Sequence, residues 1–173
     1  MTSLAQEAKL AGLAGYVSAV PGNSLERYFA IYEEHCHRVF SLAFYMTDSE
    51  PGAEELTRLV FCRAFARSAE PAAEAIDDAL LAELRELMPL GTLTLEAPRQ
   101  PVTMPHRNLK RTELERAVAQ LPPTERLVFL LHDVERYQHA RIAKLLGLDE
   151  RQSQQALHAA RLAIRYWVAT HNE

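Results

Sequence analysis

Apolar residues fall three or four positions apart along nearly the whole chain, and no long window alternates with period two. Leu25, Tyr28, Phe29, Tyr32, Cys36, Val39, Phe40 and Ala43 follow one such stripe, and Leu114, Val118 and Leu121 follow another. Side chains on a helix return to the same side every three to four residues, so the pattern calls for helices packed on helices. With 48% apolar residues in a chain of 173, there is enough material for a packed core.

One stretch resists helix. Pro89 to Arg111 holds Gly91 and four of the nine prolines, Pro89, Pro98, Pro101 and Pro105, with Thr and Gln between them. It reads as a linker. Its β-like piece, Gly91-Thr92-Leu93-Thr94-Leu95, is too short to propose a sheet. The expected fold is therefore all-α: an N-terminal extension over 1–24, a helical module over 25–88, a Pro-rich linker over 89–111 and a second helical module over 112–173.

Charge divides along the same line. Residues 1–105 carry 8 Lys/Arg against 15 Asp/Glu, whereas residues 106–173 carry 11 against 8 and five of the seven His. The net charge of −4 argues against a uniformly basic nucleic-acid coat, yet the C-terminal third is mildly cationic. Two cysteines, Cys36 and Cys62, make no disulfide framework and point to a reducing cytosol. The longest uncharged run, Leu10 to Leu25, is interrupted by Gly12, Gly15, Pro21 and Gly22, which suits neither a membrane span nor a signal peptide. A cytoplasmic protein with no membrane partner is expected.

Local chemistry sets the helix boundaries. Asp48-Ser49 before Pro51, with Glu54 and Glu55 following, reads as a helix start. Thr112 with Glu115 has the spacing of a capping box, as does Asp149 with Gln152. Pro122-Pro123 opens a helix through Leu131, Gly147 closes a short one containing Ile142, Ala143, Leu145 and Leu146, and a third keeps Leu157, Ala160, Ile164 and Trp167 on one face. Helix, tight turn and amphipathic helix with a polar outer face is the outline of a helix-turn-helix, an ordinary antiparallel helix pair being the alternative.

No catalytic site is expected. There is no phosphate-cradling glycine loop, and His132-Asp133 occupies consecutive helix positions that should diverge. His35-Cys36-His37 cannot close on one ion because neighbouring helical side chains point apart, so no metal or other cofactor is assigned.

The stretch Leu121-Pro122-Pro123-Thr124-Glu125-Arg126, with His132-Asp133-Val134-Glu135, Ile142-Ala143-Lys144-Leu145-Leu146-Gly147 and Leu157-His158-Ala159-Ala160-Arg161, resembles region 4 of the extracytoplasmic-function sigma factors of bacterial RNA polymerase. Phe29-Ala30-Ile31-Tyr32-Glu33-Glu34-His35, Ala53-Glu54-Glu55-Leu56-Thr57 and Val60-Phe61-Cys62-Arg63-Ala64-Phe65 resemble their region 2. The resemblance covers roughly 25–68 and 112–167. It implies a protein that binds the β and β′ subunits of core RNA polymerase, opens the −10 element with region 2 and reads the −35 element with region 4. It assigns DNA contact to Arg141, Lys144, Arg151, Gln152, Gln154, Gln155, His158 and Arg161, and polymerase contact to Glu54, Glu55 and Arg58.

Three departures separate the chain from the family's pattern. Arg58 and Leu59 stand where the family carries a Gln and an acid, so that Arg58 reverses the polarity of the site. Ala69 to Met88, where the family has aromatics and arginines, has six acids, the single Arg85 and no aromatic residue. The recognition helix presents Gln152-Ser153-Gln154-Gln155-Ala156 in place of a more cationic run. The alternative expectation is a sigma-like interaction protein that keeps the fold without promoter melting and acts through polymerase, an anti-sigma factor or self-association.

Overall fold

A computed structural model describes residues 22–95 and 110–171, and the extension to residue 21 and most of the expected linker, 96–109, lie outside the described residues. Among those described there are seven α-helices and no strand: α1 (Gly22–Thr47), α2 (Glu50–Arg67), α3 (Ala73–Leu87), α4 (Arg111–Ala119), α5 (Pro123–Phe129), α6 (His139–Leu146) and α7 (Glu150–Thr170). The all-α expectation holds.

The helix starts follow from capping. The Ser49 hydroxyl accepts a hydrogen bond from Gly52 N–H at 3.2 Å, and Pro51 sits in the first turn, where its missing N–H costs nothing. Asp149 and Gln152 form the expected reciprocal box, each side chain accepting from the other's backbone N–H at 2.7 and 2.8 Å. The box expected at Thr112 and Glu115 lies two residues earlier: Glu113 accepts from Lys110 N–H at 3.0 Å, and Glu115 is instead held by Arg111. The helix through Leu131 also differs, because α5 widens into a π-helical turn over Leu130–Val134, where Glu135 N–H reaches back five residues to the Leu130 carbonyl.

α1, α2 and α3 pack around Val39, Leu42, Leu56, Phe61, Ile76 and Leu80. α4 to α7 pack around Val118, Leu127, Leu131, Ile142, Leu157 and Ile164. A single contiguous apolar cluster joins the two groups. Cys36 packs against its edge, and no helix among the described residues is long and apolar enough to cross a membrane.

Two polar devices tie the groups together. Asp77 on α3, 2% exposed, accepts from Arg38 on α1 at 2.7 Å, from the Tyr137 hydroxyl at 2.8 Å and from Arg141 on α6 at 2.5 Å. Arg126 on α5 donates to the carbonyls of Leu121 and Ala119 in the α4–α5 turn and to those of Tyr45 and Met46 at the end of α1. A helix C-terminus leaves carbonyls without partners, and a guanidinium with five N–H groups satisfies several at once. Burial pushes the Arg126 pKa below its ordinary value, while Asp48 nearby works the other way.

Candidate nucleic-acid interface

α6, the turn and α7 make the helix-turn-helix. Gly147 takes φ +71° at the turn, a left-handed conformation that favours glycine, and Leu148 N–H closes it onto the Ala143 carbonyl at 2.9 Å. Ala143 is buried between the helices, as a close crossing requires. Ser153 is fully buried and meets His139 Nδ1 at 3.0 Å, pinning the first turn of α7 against the start of α6. Leu157, Ala160 and Ile164 face the core, so α7 is rotationally fixed and its other face points outward.

Arg151, Gln154, Gln155 and His158 stand exposed on that outer face, and Lys144 is exposed on α6. The remaining three residues assigned to DNA contact are engaged elsewhere. Gln152 is exposed, but its amide oxygen is used in the α7 cap. Arg141 lies 4.1 Å from the Tyr137 ring centre and pairs with Asp77. Arg161 makes a two-pronged pair with Asp133, Nε to Oδ2 at 3.0 Å and Nη2 to Oδ1 at 2.6 Å. Burial works to raise the Asp133 pKa, but the bonds from Arg161 and His132 hold it below the ordinary carboxylate value.

His132 and Asp133 do not diverge as their adjacency suggests. His132 Nδ1 lies 2.8 Å from Asp133 Oδ1, and the His132 ring stacks on His139 at 4.5 Å. Both partners of the contact sit in the π-helical turn, whose wider winding departs from α-helical spacing. The pair braces Arg161.

On the N-terminal group, Glu54, Glu55 and Arg58 are exposed on α2. Arg58 forms an ion pair with Glu55, Nε to Oε2 at 2.9 Å, so its charge is offset within the helix rather than added to the surface. Three of the six acids of segment 69–88 are similarly occupied: Asp77 serves the hub, Glu83 pairs with Arg63, and Glu70 pairs with Arg27. Leu80, Leu81 and Leu84 are buried on α3, and Leu87 in its last turn is 60% exposed.

Residue-by-residue reading missed Asp77, Arg126, Thr124 and Glu125. Thr124 and Glu125 are buried in the first turn of α5, where an acid ordinarily signals only complementarity to the helix dipole. Here they hold backbone N–H groups of the segment that follows α3.

The polar face of α7 combines a cation, two amide side chains and an imidazole on a helix held by a buried turn. Glutamine can bond adenine through two atoms, and Arg can do so with guanine. Residues 111–164, helices α4 to α6 with most of α7, match the family described as Sigma-70, region 4, and the helix-turn-helix of α6 and α7 lies within that match.

Proposed function

We propose that the chain is a sigma factor-like transcription initiation protein of the cytoplasm, which binds the β and β′ subunits of core RNA polymerase and reads promoter DNA with α7. Residues 25–88 serve as the region 2-like module, 89–111 as the linker and 112–173 as the region 4 module. Arg151, Gln154, Gln155 and His158 read bases or nearby phosphates, Lys144 contacts the backbone, and Arg141, Gln152 and Arg161 join them only by giving up their present partners. Glu54, Glu55 and Arg58 meet the polymerase. The observation that carries this is the region 4 match together with the outward polar face of α7.

A second reading has its own support. The segment 69–88 lacks aromatic residues on which unpaired bases could stack, and three of its six acids are tied to arginines of the same chain. That favours a protein that recruits or sequesters polymerase, or binds an anti-sigma factor or itself, without opening DNA.

Purification from the native cytoplasm, followed by run-off transcription with core enzyme over genomic fragments, tests the first reading. Recovery of β and β′ with transcript formation supports it. Recovery of both subunits without any transcript leaves the second reading standing, and absence of both subunits defeats the first.

A further inference from the structure

The alternating stretch Gly91-Thr92-Leu93-Thr94-Leu95 pairs with no strand. It is held on the C-terminal helices by its backbone. Gly91 N–H donates to Thr124 Oγ1 at 3.1 Å, and the N–H groups of Thr94 and Leu95 both donate to Glu125 Oε1, at 2.6 and 2.8 Å. Thr124 and Glu125 are 0% and 1% exposed, so the grip comes from groups built into the interior of α5 and not from surface side chains. Gly91 is required on two counts: φ is +91°, and a Cβ there would lie 2.9 Å from the Leu146 carbonyl oxygen.

Leu93 and Leu95 share one side of the extended segment and pack against the core edge, while Thr92 and Thr94 face outward. Backbone bonds for grip and alternate side chains for fit are how a protein binds an extended peptide. The same two leucines form one wall of a cleft of about 650 Å3 whose other wall includes Arg151, Gln154, Gln155 and His158 of α7.

We infer that the flank of α7 beside α5 is a docking groove for an extended, leucine-alternating peptide, that segment 91–95 of this chain occupies it, and that the occupied groove excludes duplex DNA from α7. The exclusion rests on the DNA reading proposed above. A helix with its side chains is about 10–12 Å across and the major groove is about 12 Å wide. A peptide alongside adds at least the ~5 Å spacing of neighbouring chains, so helix and segment do not enter together. Apparent DNA affinity is then the intrinsic affinity reduced by the fraction of time the groove is empty.

The test uses the full chain as wild type, as Leu93→Ser/Leu95→Ser and as Thr94→Pro, which keeps both leucines and has no N–H to donate. Amide hydrogen exchange reports occupancy of the groove without DNA. Duplexes selected from a randomised pool by the double-serine variant then report affinity for all three proteins. Slow exchange at Thr94 and Leu95 is expected in the wild type; at Leu95 it is lost in both variants, with duplex affinity rising about tenfold. Fast exchange at both amides in the wild type overturns the inference, as does release of the segment with unchanged duplex affinity. If the released variants select no duplex, DNA reading by α7 fails and the exclusion falls with it, a result distinguishable by the intact amide protection of the wild type.

Discussion

Helices α3 and α7 bury similar strips of leucine and alanine, but they use their polar residues differently. On α3 two of the five acids turn back into the molecule: Asp77 gathers Arg38, Tyr137 and Arg141, and Glu83 takes Arg63. On α7 the first two turns keep Arg151, Gln154, Gln155 and His158 outward. A segment's charge count is not the field it presents. Six acids in 69–88 stand where the family carries aromatics and arginines, yet the most buried of them pairs with two arginines, one of which the resemblance assigns to DNA. The acidic helix thus acts as a brace between helix groups, whereas the first turns of α7 are the surface with free hydrogen-bonding capacity.

The sharpest way to break that contrast is Asp77→Asn. It leaves Arg38, whose side chain is 19% exposed, without its buried counter-charge. Breaking a buried pair from one side costs about 3–5 kcal/mol, and the lower end is expected because Asn retains an acceptor. Urea denaturation should show a lower midpoint at unchanged slope. Tyr137 offers a second readout: burial first, then Asp77, push its pKa to about 12. A folded-state value above the unfolded ~10 means that its contribution is complete below pH ~10 and is lost as pH rises through the folded value. Alkaline ultraviolet titration, with Tyr137→Phe as the blank, should give a high value in the wild type and a lower one in Asp77→Asn.

On α7 the expected effects reverse. Gln154→Ala and Gln155→Ala should each change stability by no more than ~0.5 kcal/mol, since both are exposed and cap nothing. Each should cost about 1–3 kcal/mol in binding a selected duplex if it reads a base. A stability loss without an affinity loss would make α7 a brace like α3. Between these extremes lies Glu83→Gln, where Arg63 is 35% exposed and can be rehydrated; thermal unfolding should register about 1 kcal/mol.

What was legible in the sequence and what was not divides by range. Ser49 with Gly52, Asp149 with Gln152, and Ala143 with Gly147 interact within four residues, and propensity and capping rules describe such pairs. Asp77 meets partners 39, 60 and 64 positions away, and Arg126 reaches carbonyls 80 and 81 positions back. No local pattern encodes those meetings. A surface arginine and a hub arginine look alike until packing brings a carboxylate to one of them. Segment 91–95 was visible as a β-like piece, but its partner, a buried carboxylate on a helix, was not the partner that alternation suggests. The π-helical turn escaped for a different reason: one extra residue leaves the apolar spacing of Leu127, Leu130 and Leu131 almost unchanged.

Asp133→Asn probes the place where α7 itself behaves like α3. Asp133 is 22% exposed and Arg161 47%, so the pair is a surface one and its loss should cost no more than about 1 kcal/mol. Its Asp pKa is depressed, which means that the stabilisation is present above the ordinary carboxylate value of ~3.9 and disappears as pH falls through the folded value. The larger consequence concerns DNA. Freed from Asp133, Arg161 becomes available to a phosphate two turns along the recognition helix, and each phosphate neutralised steepens the dependence of log affinity on log salt by about 0.9. A variant of nearly native stability whose slope steepens by that amount would mean that the aspartate withholds a cation from the interface. An unchanged slope would mean that Arg161 belongs to the bracing set, and that the outward face of α7 ends at His158.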